Sequence, residues 1–550
     1  MEYKLTKNAQ RKSSVFSKPK PISYDVMIYT VSIAMYLLAL VGVGIYKTKM
    51  VKNSEDFMVA GRILPWYILV GTLLATWMGS GSLFSGAGLG YRNGPAALWS
   101  SAGAWLGIAL IYFIAKRIRN FGKITVPDIF EIRYGNFAAV LATITTVIAY
   151  TTIVSYQFRG GGKVLSMVSD GMISLETGII ITAVFAIVYT VLAGMFSVVY
   201  TDVVNGVLMT IGVLTALAVM IINIGGLGEM VQIADQAGKW SMFGNWAAER
   251  SGDISGPIIA ISFFVPTMLL LMGDANMYQR IFSAKDGGSA KKAVFFWVIG
   301  VVILESSISF LGLTGSVAAE KGLLPDLVQN EQQVVFLEAI KTGSAPLPSD
   351  LLSARQSGSE SVIPAIAIHG SIPLIIGLIL VSTMMAIIVS TADSFLLIPA
   401  TNLTRDVYQK HINTSASEKQ IILVSRVLVL ILGLIAFLLV SQFKTVLNAA
   451  FTAYNIYGAS LTPSLLAAFL WKRATKEGAV ASIMTGASIT IIWTYFLPNW
   501  SGFNNLNPFL QELTYPAAGL SILVLIVVSF FTPAPKKEMY EQFFNDSNKI

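Results

Sequence analysis

The 550-residue chain is 54% hydrophobic and 12% charged, against about 45–50% and about 25% in an ordinary soluble domain. So few charges could not cover a soluble multidomain enzyme, and that class is excluded. The formal net charge is +8 and there is no cysteine, which excludes disulfides, thiolate metal sites and thiol catalysis. In chain order, a polar, basic tail (1–24) comes first, carrying Lys4, Lys7, Arg11, Lys12, Lys18 and Lys20. It lacks the apolar core and small-residue cleavage site of a secretory signal, so the first span is expected to stay in the mature protein. Apolar stretches then recur at 26–46, 65–90, 95–115, 137–157, 176–195, 202–224, 257–280, 293–318, 368–398, 420–441, 446–471, 478–497 and 513–532. Each suffices for a helix across a hydrocarbon core of about 30 Å. No alternating-strand pattern repeats, which argues against a β-barrel. The expected fold is all-α, a polytopic membrane protein with about thirteen transmembrane helices.

Orientation is read from the basic residues of short loops. With the N-terminus outside, the inner loops hold twenty-two Lys and Arg and the outer loops nine. The six charges of the N-terminal tail oppose this orientation, and the many internal loops outweigh them. The C-terminus is thus expected in the cytoplasm of a multi-pass cell-membrane protein. Glu320 to Pro364, rich in Ser, Gly and acidic residues, falls outside, as a short helix over the outer mouth or as a linker.

Two spans are interrupted. The second has Gly79, Ser80, Gly81 and Ser82 at its middle, and the seventh has Gly273 and Asp274. Gly costs about 1 kcal/mol relative to Ala inside a helix. An aspartate near the middle of a membrane helix costs roughly 2.5–3.5 kcal/mol on insertion scales. Interrupted spans five apart mark an inverted-repeat transporter with unwound backbone at the midplane. The competing explanation is that Gly here only permits close helix packing. The divisions expected are span 1 (25–46), a first repeat (65–224, spans 2–6), a second repeat (257–471, spans 7–11), spans 12–13 (478–532) and a C-terminal tail (533–550).

GSGSLFSG in span 2 is embedded in apolar sequence, without the strand–helix context of a nucleotide loop, and RGGGK (159–163) lacks Walker spacing. Asp202 opens span 6, Glu305 lies within span 8, and Ser390, Thr391, Asp393 and Ser394 crowd one turn of span 9. Hydroxyls, carbonyls and carboxylates are hard ligands suited to a hard cation. Taken singly, Ser390 and Thr391 would bond back to their own helix carbonyls; beside Asp393 and Ser394, cation binding is the better reading. His369 and His411 lie at a span end and in a loop and support no metal pair. Trp66 and Tyr91 read as interfacial anchors.

AGRILPWYILVGTLLATWMGSGS, QFRGGGKVL, VYTVLAGMFSVVYTDVVNGVLM, NMYQRIFSAKD and STADSFLLIPATNLTRDVYQK resemble blocks of the sodium:solute symporter family, in order and spacing, from about Asn53 to about Gly486. The resemblance implies thirteen spans, the five-plus-five inverted repeat of the leucine-transporter fold, and alternating access. It also implies a sodium site from the carbonyls of Ala75, Met78 and Ile387 and the hydroxyls of Ser390 and Thr391. A second sodium, found in some members, would use Asp202, Ser390, Asp393 and Ser394. Asp393 replaces a hydroxyl there, so it either strengthens that site or turns aside. The solute would sit near Trp77, Ser82, Trp99, Ser101, Asp274 and Asn276. ATWMGSG resembles the choline-transporting branch, and an aromatic face beside a carboxylate suits a cation.

The expectation is sodium-driven symport of a small organic solute, cationic or amino-bearing. The alternative is a non-transporting sensor of the same fold acting through a partner protein, with a passive ion channel third. No enzyme activity, cofactor or nucleic-acid partner is expected; the partners are sodium ion, the solute and the lipid bilayer. Glu305 either shares the solute cavity or is protonated and structural.

Overall fold

The computed structural model describes residues 24–48, 53–123, 125–246, 255–327, 349–370, 372–497, 500, 502–503 and 506–544. The basic tail before Tyr24 and residues 328–348 of the predicted outer loop lie outside that set. The described residues are almost wholly helical, the exception being one isolated bridge between Leu64 and Ala284. In a bilayer a helix satisfies its own backbone polar groups, so the long apolar runs become helices.

The helices are α1 (Tyr24–Thr48), α2 (Ser54–Val59), α3 (Trp66–Trp77), α4 (Ala87–Asn93), α5 (Leu98–Asn120), α6 (Val126–Tyr134), α7 (Asn136–Val168), α8 (Leu175–Asn223) and α9 (Leu227–Gln236). They continue as α10 (Gly256–Gly273), α11 (Ala275–Phe282), α12 (Gly287–Glu320), α13 (Ser349–Ser359), α14 (Val362–His369) and α15 (Leu374–Asn402). The last are α16 (Glu418–Leu439), α17 (Val446–Ser460), α18 (Thr462–Leu470), α19 (Lys476–Ile491), α20 (Pro508–Gln511), α21 (Thr514–Phe531) and α22 (Lys537–Phe544). Ten helical stretches are long and apolar enough to cross a membrane, with shorter apolar helices at Met27–Val43 and Trp66–Trp77. Helix length alone therefore yields fewer spans than the thirteen expected. Residues 81–120 run on as one helical stretch, and the eleventh apolar run is divided at Leu461. In the outer-loop region, α13 is a short helix.

Polar caps start several helices. Ser417 and Gln420 form a capping box on α16, as Thr125 and Asp128 do on α6. Asp286 caps α12 by accepting the Ser289 N–H at 2.7 Å. That bond, the largest influence on it, holds the Asp286 carboxyl below its ordinary 3.8. A depressed carboxylate contributes stability above the unfolded value, lost as pH falls through the folded one. Asp286→Ala is therefore expected to cost about 0.5–2 kcal/mol at neutral pH, and the difference from wild type should shrink below pH 3.8. Unfolding of both proteins across pH measures it.

α8 carries two predicted spans and turns between them at Gly194, whose φ is +68°. A Cβ there would lie 2.7 Å from Phe57 Cδ2. Gly194→Ala forces a strained backbone and a clash together, so a loss above about 1 kcal/mol is expected; a thermal melt in detergent would show it.

α15 is buried along its second half, from Leu380 to Asn402, and packs against α8 and α7. α16 instead exposes Leu423, Val427, Leu430, Leu434 and Leu438. These recur every three to four residues and form one apolar stripe, the surface a helix presents to lipid.

Candidate functional site

Both interrupted spans are broken helices. α3 ends at Trp77, Met78 is extended (φ −74°, ψ 111°), and a π-helical turn follows at Gly81–Gly86. α10 ends at Gly273, and Asp274 (φ −58°, ψ 113°) is the N-cap of α11. A break leaves backbone groups without helical partners, tolerable at membrane depth only where neighbours satisfy them. Here they do. Gln157 Oε1 on α7 accepts the Ser80 N–H at 2.8 Å. At the second break, Tyr457 donates to the Gly273 carbonyl (2.9 Å) and accepts the Ala275 N–H (3.1 Å). Asp274 Oδ1 accepts from Asn276 N (2.7 Å), Met277 N (3.3 Å) and the Tyr150 hydroxyl (2.8 Å). Gly79 is required at the first break, since a Cβ would sit 2.8 Å from Gln157 Nε2 and 3.0 Å from Thr391 Cγ2.

α15 crosses behind the first break. Thr391 Oγ1 donates to the Met78 carbonyl at 2.9 Å, and Ser390 donates to Asp202 Oδ1. Ala75, Ile387, Ser390 and Thr391 are all buried. Thr383, two turns earlier, bonds back to the Ile379 carbonyl at 2.6 Å. Ser390 and Thr391 instead reach other helices, which is the arrangement a ligand site needs.

Asp202, on α8, links Ser390 to a second polar group. Its Oδ2 accepts from Thr72 (2.6 Å), Thr76 (3.2 Å) and Arg280 Nη2 (3.1 Å). Arg280 Nη2 also donates to Ser394 Oγ at 2.7 Å, and Nη1 to Asn276 Oδ1 at 2.5 Å. A guanidinium of the chain thus bridges Asp202 and Ser394, two residues expected around a second sodium. Asp393 turns away to accept from Thr190 Oγ1 at 2.7 Å.

Of the residues expected to hold solute, Trp77, Ser82 and Ser101 line one cavity beside the first break. Asp274 and Asn276 are not among its walls; they serve α11, Tyr150 and Arg280. Trp99 also lies elsewhere, its indole donating to the Met242 carbonyl at 2.9 Å and stacked on Phe243. Glu305 does line the cavity. Its Oε1 accepts the Trp77 indole N–H at 2.7 Å and its Oε2 that of Trp105 at 2.9 Å. Tyr454 and Phe451 of α17, with Ser85, Thr267 and Ser309, also line it.

The sequence reading did not single out Tyr454, Phe451, Gln157, Tyr150 or Tyr457. Arg280, which at the end of the seventh apolar run counts among the twenty-two inner-loop charges, has a fully buried side chain. One signal was available: Arg280 lies one helical turn after Asn276, on the same face of α11.

This geometry agrees with the sequence comparisons. The profile of the sodium:solute symporter family matches residues 57–486, and the chain belongs to that family. It is 24% identical over 526 residues to the osmoregulated proline transporter OpuE of Bacillus subtilis, covering 93% of this chain and 96% of that one. It is 26% identical over 526 residues to a sodium/proline symporter of Staphylococcus aureus, covering 92% and 93%. Among solved structures, a Na+-coupled sialic acid symporter in a substrate-bound outward-open state superposes with a TM-score of 0.72 at 18% identity, covering 92% of this chain and 98% of that one. Mhp1, a nucleobase-cation-symport-1 family transporter in a closed conformation, gives 0.54 at 12% identity, covering 90% and 99%. The protein is a multi-pass membrane transporter of this fold and not an enzyme, with sodium as the coupling ion of its family.

Proposed function

We propose that the protein carries a small cationic or amino-bearing solute across the membrane with sodium, by alternating access. The observation that carries this reading is the first break itself. The Met78 carbonyl, freed from helical geometry, accepts from the Thr391 hydroxyl, and the neighbouring Trp77 lines the cavity that also holds Glu305. Ala75, Met78, Ile387, Ser390 and Thr391 would hold the ion, on oxygen atoms alone, as a hard cation requires. Sodium between α3 and α15 would fix the break that forms one wall of the solute cavity. Ion and solute would then strengthen each other's binding by one reciprocal coupling free energy. The cationic lean is supported by the carboxylate of Glu305 and the aromatic faces of Trp77 and Tyr454 in that cavity, and the amino-bearing reading by the proline-symporter relatives.

The second cation position is taken by Arg280 in this reading, so a single sodium accompanies each solute. Solute binding measured against sodium concentration is expected to be hyperbolic, with a Hill coefficient near one. A sigmoidal dependence would show that a second ion displaces the guanidinium. The excess of basic residues in the loops between spans puts the C-terminus in the cytoplasm; protease accessibility of a C-terminal tag in sealed, right-side-out vesicles tests that, with protection expected.

A further inference from the structure

We propose that Glu305 selects the solute by charge, and that the solute is a small organic monocation with no carboxylate of its own. This rests on the symport reading above and goes further, because it separates a cation from a zwitterionic amino acid.

Three observations converge. The first is the uncompensated carboxylate. Indole N–H groups only donate, so Trp77 and Trp105 clamp both oxygens of Glu305 as acceptors, while Ser82 and Ser101 lie beside the same group. These donors orient the carboxylate but bring no counter-charge. Among the described residues no ion pair reaches Glu305, and it is the one charged side chain lining the cavity. An acid buried at membrane depth with no cation of the chain beside it keeps its proton until a cation enters the cavity to replace it.

The second observation concerns where a solute carboxylate would go. Broken helices of this architecture offer an anion the N–H groups of a half-helix N-terminus. At the second break that position is filled from within. Asp274 takes the Asn276 and Met277 N–H groups, and Tyr457 takes that of Ala275. At the first break, Gln157 takes one such group, the Ser80 N–H. A solute carboxylate would meet Asp274 at the second break and Glu305 in the cavity.

The third is the remaining wall. Trp77 and Tyr454 present rings 6.2 Å apart, with Phe451 next to Tyr454, surfaces that attract an organic cation. The hydroxyls of Ser85 and Ser309 are buried without a hydrogen-bond partner and line the same cavity. They can take a hydroxyl or a water carried with the solute.

The test uses the full-length protein in detergent and in liposomes, with choline and tetramethylammonium as monocation probes, the neutral carbon isostere of choline, and proline as the zwitterion. In sodium buffer, at least one monocation is expected to bind at least tenfold more tightly than both the neutral isostere and proline. Glu305→Gln should abolish that preference while the protein keeps its sodium-dependent thermal shift. The wild-type comparison stands even if Glu305→Gln fails to fold. Equal binding of choline and its neutral isostere overturns the proposal, as does tighter binding of proline or no binding of either monocation. A monocation preference that is indifferent to sodium sinks the symport reading and leaves the charge selection standing; sodium-dependent binding of proline alone does the reverse.

Discussion

Asp202→Asn is expected to be among the most destabilising single substitutions in the protein. Asp202 and Arg280 form an ion pair with both side chains fully buried. Thr72 and Thr76 supply further hydrogen bonds to the same carboxylate oxygen. Such a pair need not stabilise relative to apolar residues of the same shape. Removing one partner is different, because it strands the other charge, at a cost of about 3–5 kcal/mol. The neutral amide would leave the Arg280 guanidinium without a counter-ion between α3, α8, α11 and α15. Thermal unfolding in detergent, read by loss of monodispersity, is the measurement. Asp202→Asn/Arg280→Gln should recover part of the loss, since the double variant strands no charge, and the non-additivity gives the coupling directly. A single variant as stable as wild type would mean that the two charges do not depend on each other.

The second large effect lies in sodium coupling. Thr391→Ala removes the hydroxyl that meets the Met78 carbonyl, and Ser390→Ala removes its neighbour on α15. Either variant is expected to weaken apparent sodium affinity at least tenfold, about 1.4 kcal/mol. Solute binding in sodium-free buffer should change little. Ser390→Ala also takes a donor from Asp202, so Thr391→Ala is the cleaner variant. A Thr391→Ala protein with unchanged sodium dependence would move the ion away from the first break.

Much of this was legible in the sequence for one physical reason. In lipid the backbone must bond internally, so an apolar run of sufficient length can hardly be anything but a helix, and the predicted runs match the described helices within a few residues at most ends. The breaks were legible too, because Gly79 to Ser82 and Gly273–Asp274 fall in the middle of long apolar runs. What could not be read was the partner of each polar group. Thr391 and Met78 are 313 residues apart, Glu305 and Trp77 are 228 apart, and Asp202 and Arg280 are 78 apart. Helical periodicity says which residues share a face, not which helix that face meets. Asp274 illustrates the cost. As a lone carboxylate in a membrane span it reads as a solute ligand, yet the chain turns there and the side chain caps the new helix. Glu305 had the same appearance in sequence and occupies the cavity. Three-dimensional placement alone separates the two.

In the proposed cycle sodium and solute move together through one site. Its most direct test is uptake of labelled choline and labelled proline into liposomes containing the purified protein, with an inward sodium gradient and with potassium in its place. Concentrative uptake of at least one probe under the sodium gradient, collapsing when the gradient is dissipated, is the predicted result. The same uptake of each probe with and without the gradient would contradict it.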